Sequence, residues 1–154
     1  MVDRKHKDYI NNKTLYNEIV KWYETGKEDI PDTIVIGIIQ ICERLGTKRN
    51  FRGYTYIDEM VSAGIESCIV ALKGKKFDPG RTNNPFAYFT QIAWNDFIKI
   101  IQDEKKQSYL KHKALEHHYT ASMLNGESVE VTLDTTGRSD DLVEKFESKK
   151  KKNV

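Results

Sequence analysis

Residues 83–106 read NNPFAYFTQIAWNDFIKIIQDEKK, and this stretch decides the fold class. Asn84 is a favourable N-cap, and Pro85 suits the first helical position, where a backbone N–H would have no partner. Apolar residues then recur at the three- to four-residue spacing of one helix face. They are Phe86, Phe89, Ile92, Ala93, Phe97, Ile100 and Ile101. The stretch therefore predicts one long helix whose apolar stripe faces inward.

The remaining positions of this helix are mostly polar. Tyr88, Gln91, Asn95, Lys99 and Gln102 lie off the apolar stripe, and Lys105 and Lys106 follow them. Aromatic and amide groups followed by lysines are typical of a surface that stacks bases and contacts phosphates. A core helix with a solvated lysine end gives the same pattern. The residues alone leave both interpretations open.

Three shorter helices are predicted upstream, so the fold class is all-α. The first begins near Asn12 and is closed by Gly26, and the second opens at Pro31 and ends at Gly46. The third is predicted over residues 54–73, with an acidic outer face and a buried side that includes Ile65 and Leu72. Gly64 inside this helix costs about 1 kcal/mol relative to alanine, which indicates close approach of a neighbouring helix. Cys42 and Cys68 fall on apolar faces and are predicted to be reduced core thiols.

The length of 154 residues predicts one domain with a tail. We expect a compact helical domain over residues 1–118, a flexible linker over 119–138 and a C-terminal tail over 139–154 that ends in a short helix. No apolar run approaches membrane-spanning length, and the polar start lacks the apolar segment of a signal peptide. These features predict a soluble intracellular protein without membrane contact.

Residue patterns for catalysis or cofactor binding are missing from the sequence. It contains no phosphate-binding glycine loop and no cysteine spacing of the zinc-site type. His112, Glu116, His117 and His118 could form a metal site, but such residues on a polar helix end are far more often solvated. The expectation is therefore a protein that is not an enzyme and has no cofactor and no bound metal.

Residues 56–98, from YIDEMVSAGIESC through FDPGRTNNPFAYFTQIAWNDFI, resemble region 2 of bacterial sigma factors. Over residues 11–106 the chain is most similar to the late-transcription sigma factors of large tailed bacteriophages. The resemblance implies a compact helical domain like sigma region 2. It also implies a role in directing host core RNA polymerase to phage late promoters through a −10-like element, and in assisting promoter melting. The location implied is the cytoplasm of the infected bacterial host.

The resemblance implies two binding surfaces. Docking on the clamp coiled coil of the largest polymerase subunit would involve Asp58, Glu59, Ser62, Ala63 and Glu66. Promoter DNA would be contacted by Arg81, Phe86, Tyr88, Phe89, Gln91, Asn95, Lys99, Gln102, Lys105 and Lys106. Phe89 occupies the position where sigma factors carry the aromatic that stacks on a flipped adenine. Housekeeping sigma factors have two adjacent tryptophans where this chain has Ile92 and Ala93, which implies weaker melting without assistance.

The tail carries a second implied interaction. Phage late sigma factors end in a short acidic and hydrophobic segment that binds the replication sliding clamp, acting with a co-activator. By that resemblance the contacts here would be Asp141, Leu142, Val143 and Phe146. Two other functions stay open: a helical adaptor that binds another protein through the acidic third helix, and a polymerase inhibitor that mimics region 2 without recognising promoters.

Overall fold

The computed structural model describes residues 9–126, which form four α-helices. These are α1 (Asn12–Thr25), α2 (Asp32–Gly46), α3 (Ile57–Lys73) and α4 (Pro85–Leu124). No β-strand occurs within that range, so the predicted all-α class is confirmed. The chain divides into two compact units, Met1–Ile100 and Ile101–Val154. The predicted tail helix and most of the predicted linker lie outside the described residues.

Local signals explain where the helices of the first unit begin and end. The Asn11 side chain accepts a hydrogen bond from the Lys13 N–H at 2.9 Å, and Gly26 closes α1 in the left-handed conformation with φ 64°. Pro31 immediately precedes α2 rather than forming its first residue. α3 begins three residues later than predicted because turns occupy residues 48–54. In these turns the Phe51 N–H donates to the carbonyl oxygen of Lys48, and the Tyr54 N–H donates to the carbonyl oxygen of Phe51.

The core of the first unit lies mainly on α2 and α3. Ile34, Ile38 and Cys42 are fully buried on α2, and Met60, Cys68 and Leu72 are fully buried on α3. Both thiols are free, which agrees with the prediction of reduced core cysteines. Ile65 is an exception: it is only half-buried, because it lies at the border of the buried stripe of α3.

Gly64 marks a close approach between α3 and α4 in the first unit. A Cβ atom at this position would lie 3.1 Å from Cε1 of Phe97 and 3.2 Å from Cβ of Ala93. Those distances are shorter than ordinary van der Waals contact, so glycine lets the two helices pack against each other here. The close helix approach predicted from Gly64 is thereby confirmed.

The second unit contains the part of α4 from Ile101 to Leu124. The helix continues six residues beyond the predicted domain end at His118, so the first part of the predicted linker is helical. No glycine or proline follows Pro85 until Gly126, which has a φ of 72° just beyond the helix end. An ion pair between Lys113 and Glu116 at 3.2 Å lies along this segment. Within residues 9–126, none of the helices combines the length and the apolar composition that a membrane span needs.

Candidate functional site

An open cleft of about 420 Å³ lies in the first unit, along α4 and beside the start of α1. Its lining consists of two aromatic rings, four polar side chains and one alanine. The lining residues are Asn12, Asn84, Phe86, Ala87, Thr90, Gln91 and Trp94. Flat apolar rings next to amide and hydroxyl groups match the chemistry of a nucleobase, which has a π-face and a hydrogen-bonding edge.

Hydrogen bonds at two helix starts shape one end of this cleft. The N–H of Phe86 donates to Oδ1 of Asn12 at 3.2 Å, joining residues 74 positions apart. The N–H of Ala87 donates to Oδ1 of Asn84 at 3.1 Å, so Asn84 caps α4 as predicted. The Phe86 ring packs edge-on against Tyr9 with centroids 5.4 Å apart. These contacts hold the half-buried Phe86 side chain beside α1.

A basic loop is anchored at Trp94, which also lines the cleft. Phe51 is 1% exposed, and its ring packs edge-on against Trp94 at 4.8 Å and against Phe97 at 5.0 Å. Because Phe51 is buried, the loop over residues 47–53 is fixed against α4, while Lys48, Arg49 and Arg52 stay exposed. The loop therefore carries three exposed cations on the segment that contacts Trp94.

The polar residues predicted to contact DNA are exposed, as such a role requires. Nε2 of Gln91 donates to Oδ1 of Asn95 at 2.9 Å, which aligns the two amides one helix turn apart. Lys99 is exposed on α4, and Arg81 is exposed on the turn that precedes this helix. In the second unit, Gln102, Lys105 and Lys106 are all exposed.

The structure corrects the expectation that the Phe89 ring contacts DNA. Its side chain is fully buried, with its ring 6.0 Å from Phe77 and 5.2 Å from Tyr88. Phe89 lies on the same buried stripe as Ala93 and Phe97, so packing against the core leaves no ring face for a base. Tyr88 is half-buried, with its ring edge-on to Phe77 at 5.2 Å. The rings that line the cleft are instead Phe86 and Trp94.

Two tyrosines of the first unit, Tyr23 and Tyr88, remain neutral at physiological pH. Burial, and secondarily the nearby Tyr88 group, raise the pKa of Tyr23 from 10.0 to about 12. Burial also raises the pKa of Tyr88, with a smaller contribution from Cys68. The Tyr23 hydroxyl is buried without a hydrogen-bond partner among the described residues. Neither phenol is therefore poised to act as a base.

The outer face of α3 is acidic, as predicted. Asp58, Glu59, Ser62 and Glu66 are exposed, and Ala63 is half-buried. The Ser62 hydroxyl donates to the carbonyl oxygen of Asp58 at 2.9 Å, so it is engaged by its own helix. Val70 lies one helix turn after Glu66 on the same face and is 56% exposed. The face thus presents carboxylates followed by an exposed apolar side chain.

The candidate metal residues do not converge. Glu116 is paired with Lys113, while His117 and His118 are exposed. Within residues 9–126 no group of three or more histidine, cysteine or acidic side chains could hold a metal ion. The predicted sliding-clamp residues Asp141, Leu142, Val143 and Phe146 lie outside the described residues.

Five residues that line the cleft were not predicted to contact DNA: Asn12, Asn84, Ala87, Thr90 and Trp94. For Thr90 and Trp94 a signal was present, because Ala87, Thr90, Gln91 and Trp94 recur at helical spacing beside the apolar stripe. Asn84 was recognised only as a helix cap. Asn12 carried no local signal, since it reaches the cleft only when α1 packs beside α4.

Comparison with protein-family models gives no match, and comparison with curated proteins gives no significant match.

Proposed function

We propose that this protein is a sigma factor that directs a bacterial core RNA polymerase to phage late promoters. In this role it recognises a −10-like element and assists strand opening. The observation that carries the proposal is the cleft on α4, where Phe86 and Trp94 lie beside amide groups and the basic loop over residues 47–53. The order of sequence motifs over residues 11–106 supports the same function.

Energetics favour an unstacked DNA strand as the ligand of the cleft. Opening a duplex costs about 1.4 kcal/mol of stacking free energy per base-pair step. Stacking of an unpaired base on an aromatic side chain contributes about 1–3 kcal/mol per base. Phe86 and Trp94 supply the rings, and Gln91 with Asn95 supplies amides that can bond base edges. Lys48, Arg49 and Arg52 supply positive charge for phosphates.

The acidic face of α3 is the proposed surface for polymerase. Glu59 and Glu66 lie on one side of the helix with Val70, so the face offers both charge and a small apolar contact. A partner helix that carries arginines or lysines matches this surface electrostatically. The clamp coiled coil of the largest polymerase subunit is the partner implied by the sequence resemblance.

Transcription in vitro with host core polymerase and phage DNA tests the proposal. Core polymerase plus this protein should produce transcripts from discrete start sites, while core alone should not. A protein that binds core but gives no specific transcript would instead be a polymerase inhibitor. Absence of both binding and transcription would favour the adaptor function and refute the proposal.

Two sets of variants assign the surfaces. Glu59→Lys combined with Glu66→Lys should weaken core binding, whereas Glu43→Lys, a charge reversal at an exposed position of α2, should not.

Trp94→Ala should reduce open complex on duplex promoters by roughly 5- to 150-fold, from the loss of about 1–3 kcal/mol of stacking. Trp94→Phe retains a ring and should retain most activity. A premelted template should partly rescue Trp94→Ala, and equal activity of Trp94→Ala and wild type on duplex DNA would remove the cleft from the mechanism.

A further inference from the structure

The second unit exposes an apolar row on the last turns of α4. Leu115, Tyr119 and Met123 follow one another at four-residue spacing and are 44%, 45% and 66% exposed. Residues four apart share a helix face, so these three side chains form one continuous strip. Large apolar side chains in a contiguous strip are typical of a surface that another segment or molecule covers.

Positive charge lies on the turns of α4 that precede the strip. Residues 105–118 contain four lysines against one glutamate, which is a net charge of +3 with neutral histidines. Lys113 is engaged with Glu116 at 3.2 Å, and Lys111 is exposed one turn before Leu115 on the same helix face. A segment that covers the apolar strip therefore binds best if it is acidic.

The chain itself contains a segment with both properties. Residues 139–147, SDDLVEKFE, carry four acidic residues and one lysine, a net charge of −3, together with Leu142, Val143 and Phe146. We propose that residues 139–147 dock on the strip formed by Leu115, Tyr119 and Met123 of the same molecule. The inference does not rest on the proposed function, because it uses only the charge and apolar pattern of this unit.

The tether is long enough for this contact. Twelve residues, 127–138, separate Gly126 from Ser139, and an extended chain spans roughly 3.3 Å per residue, or about 40 Å. The helix rises about 1.5 Å per residue, so Leu115 lies about 16 Å from Gly126 along the axis. Covalent attachment also gives the segment a high effective concentration at the strip. While it is docked, Leu142 and Phe146 are inaccessible to an external partner, which must first release the segment.

Hydrogen–deuterium exchange on the full chain tests the docking. Leu142→Ser combined with Phe146→Ser should speed exchange of the amides of residues 110–124 by about tenfold, because the helix loses its cover. Val129→Ser combined with Val131→Ser makes the same kind of change elsewhere in the tail and should leave exchange unaltered. This readout requires neither DNA nor polymerase, so it is independent of the transcription experiment.

Three results would overturn the proposal. Unchanged exchange in the Leu142→Ser, Phe146→Ser variant would show that this segment does not cover α4. An equal effect of the Val129→Ser, Val131→Ser control would transfer the contact to another part of the tail. Protection that rises with protein concentration would identify a second copy of the chain as the occupant.

Discussion

Replacing Gly64 with alanine tests how tightly α3 and α4 pack in the first unit. The new Cβ would lie 3.1 Å from Cε1 of Phe97 and 3.2 Å from Cβ of Ala93. The Phe97 ring can tilt slightly, but the Ala93 Cβ is attached directly to the helix backbone and moves only with it. Overpacking costs about 1–3 kcal/mol, whereas alanine in place of glycine within a helix contributes about 1 kcal/mol of stability. The net expectation is a loss of about 1 kcal/mol.

Thermal and urea unfolding followed by circular dichroism measure this effect. Gly64→Ala should lower Tm by roughly 3 °C, and Gly64→Val should lower it further because its two additional methyl groups have no room. Gly53→Ala is the control, because its Cβ would meet no atom within 4 Å. It should be neutral or stabilise the protein by about 0.4–1 kcal/mol through the unfolded state. If Gly64→Ala stabilised the protein by about 1 kcal/mol, helix propensity would dominate and the close packing would be refuted.

Three further predictions concern buried side chains. Phe89→Ala should destabilise the protein by about 3–5 kcal/mol in urea unfolding, because it empties a core position; a loss below 1 kcal/mol would contradict its burial. The Tyr23 pKa is raised from 10.0 to about 12, so its contribution to stability is complete below pH 10 and is lost as pH rises towards 12. Tyr23→Phe should therefore lose less stability than wild type across that range in alkaline unfolding experiments. Cys42 and Cys68 are buried, and a hydrogen bond with Cys42 and burial raise the pKa of Cys68. Both thiols should react with a thiol reagent only after unfolding, and rapid labelling of the native protein would contradict this.

The sequence alone determined the helices and most of their ends. Asn11, Gly26 and Asn84 act through hydrogen bonds or backbone conformations within a few residues, so their effect can be recognised locally. The apolar periodicity also predicted the buried stripe of α4, and Gly64 predicted close helix packing. These features are readable because helix geometry repeats every 3.6 residues.

Tertiary structure decided which aromatic rings are accessible. The apolar stripe already included Phe89, yet the family pattern assigned it to DNA, and only packing against Phe77 and Tyr88 settled that its ring is buried. The cleft likewise depends on a hydrogen bond between Phe86 and Asn12, which are 74 positions apart, and on the ring contact between Phe51 and Trp94. Such contacts depend on how separate helices and loops dock, and the spacing of residues along one helix carries no information about them.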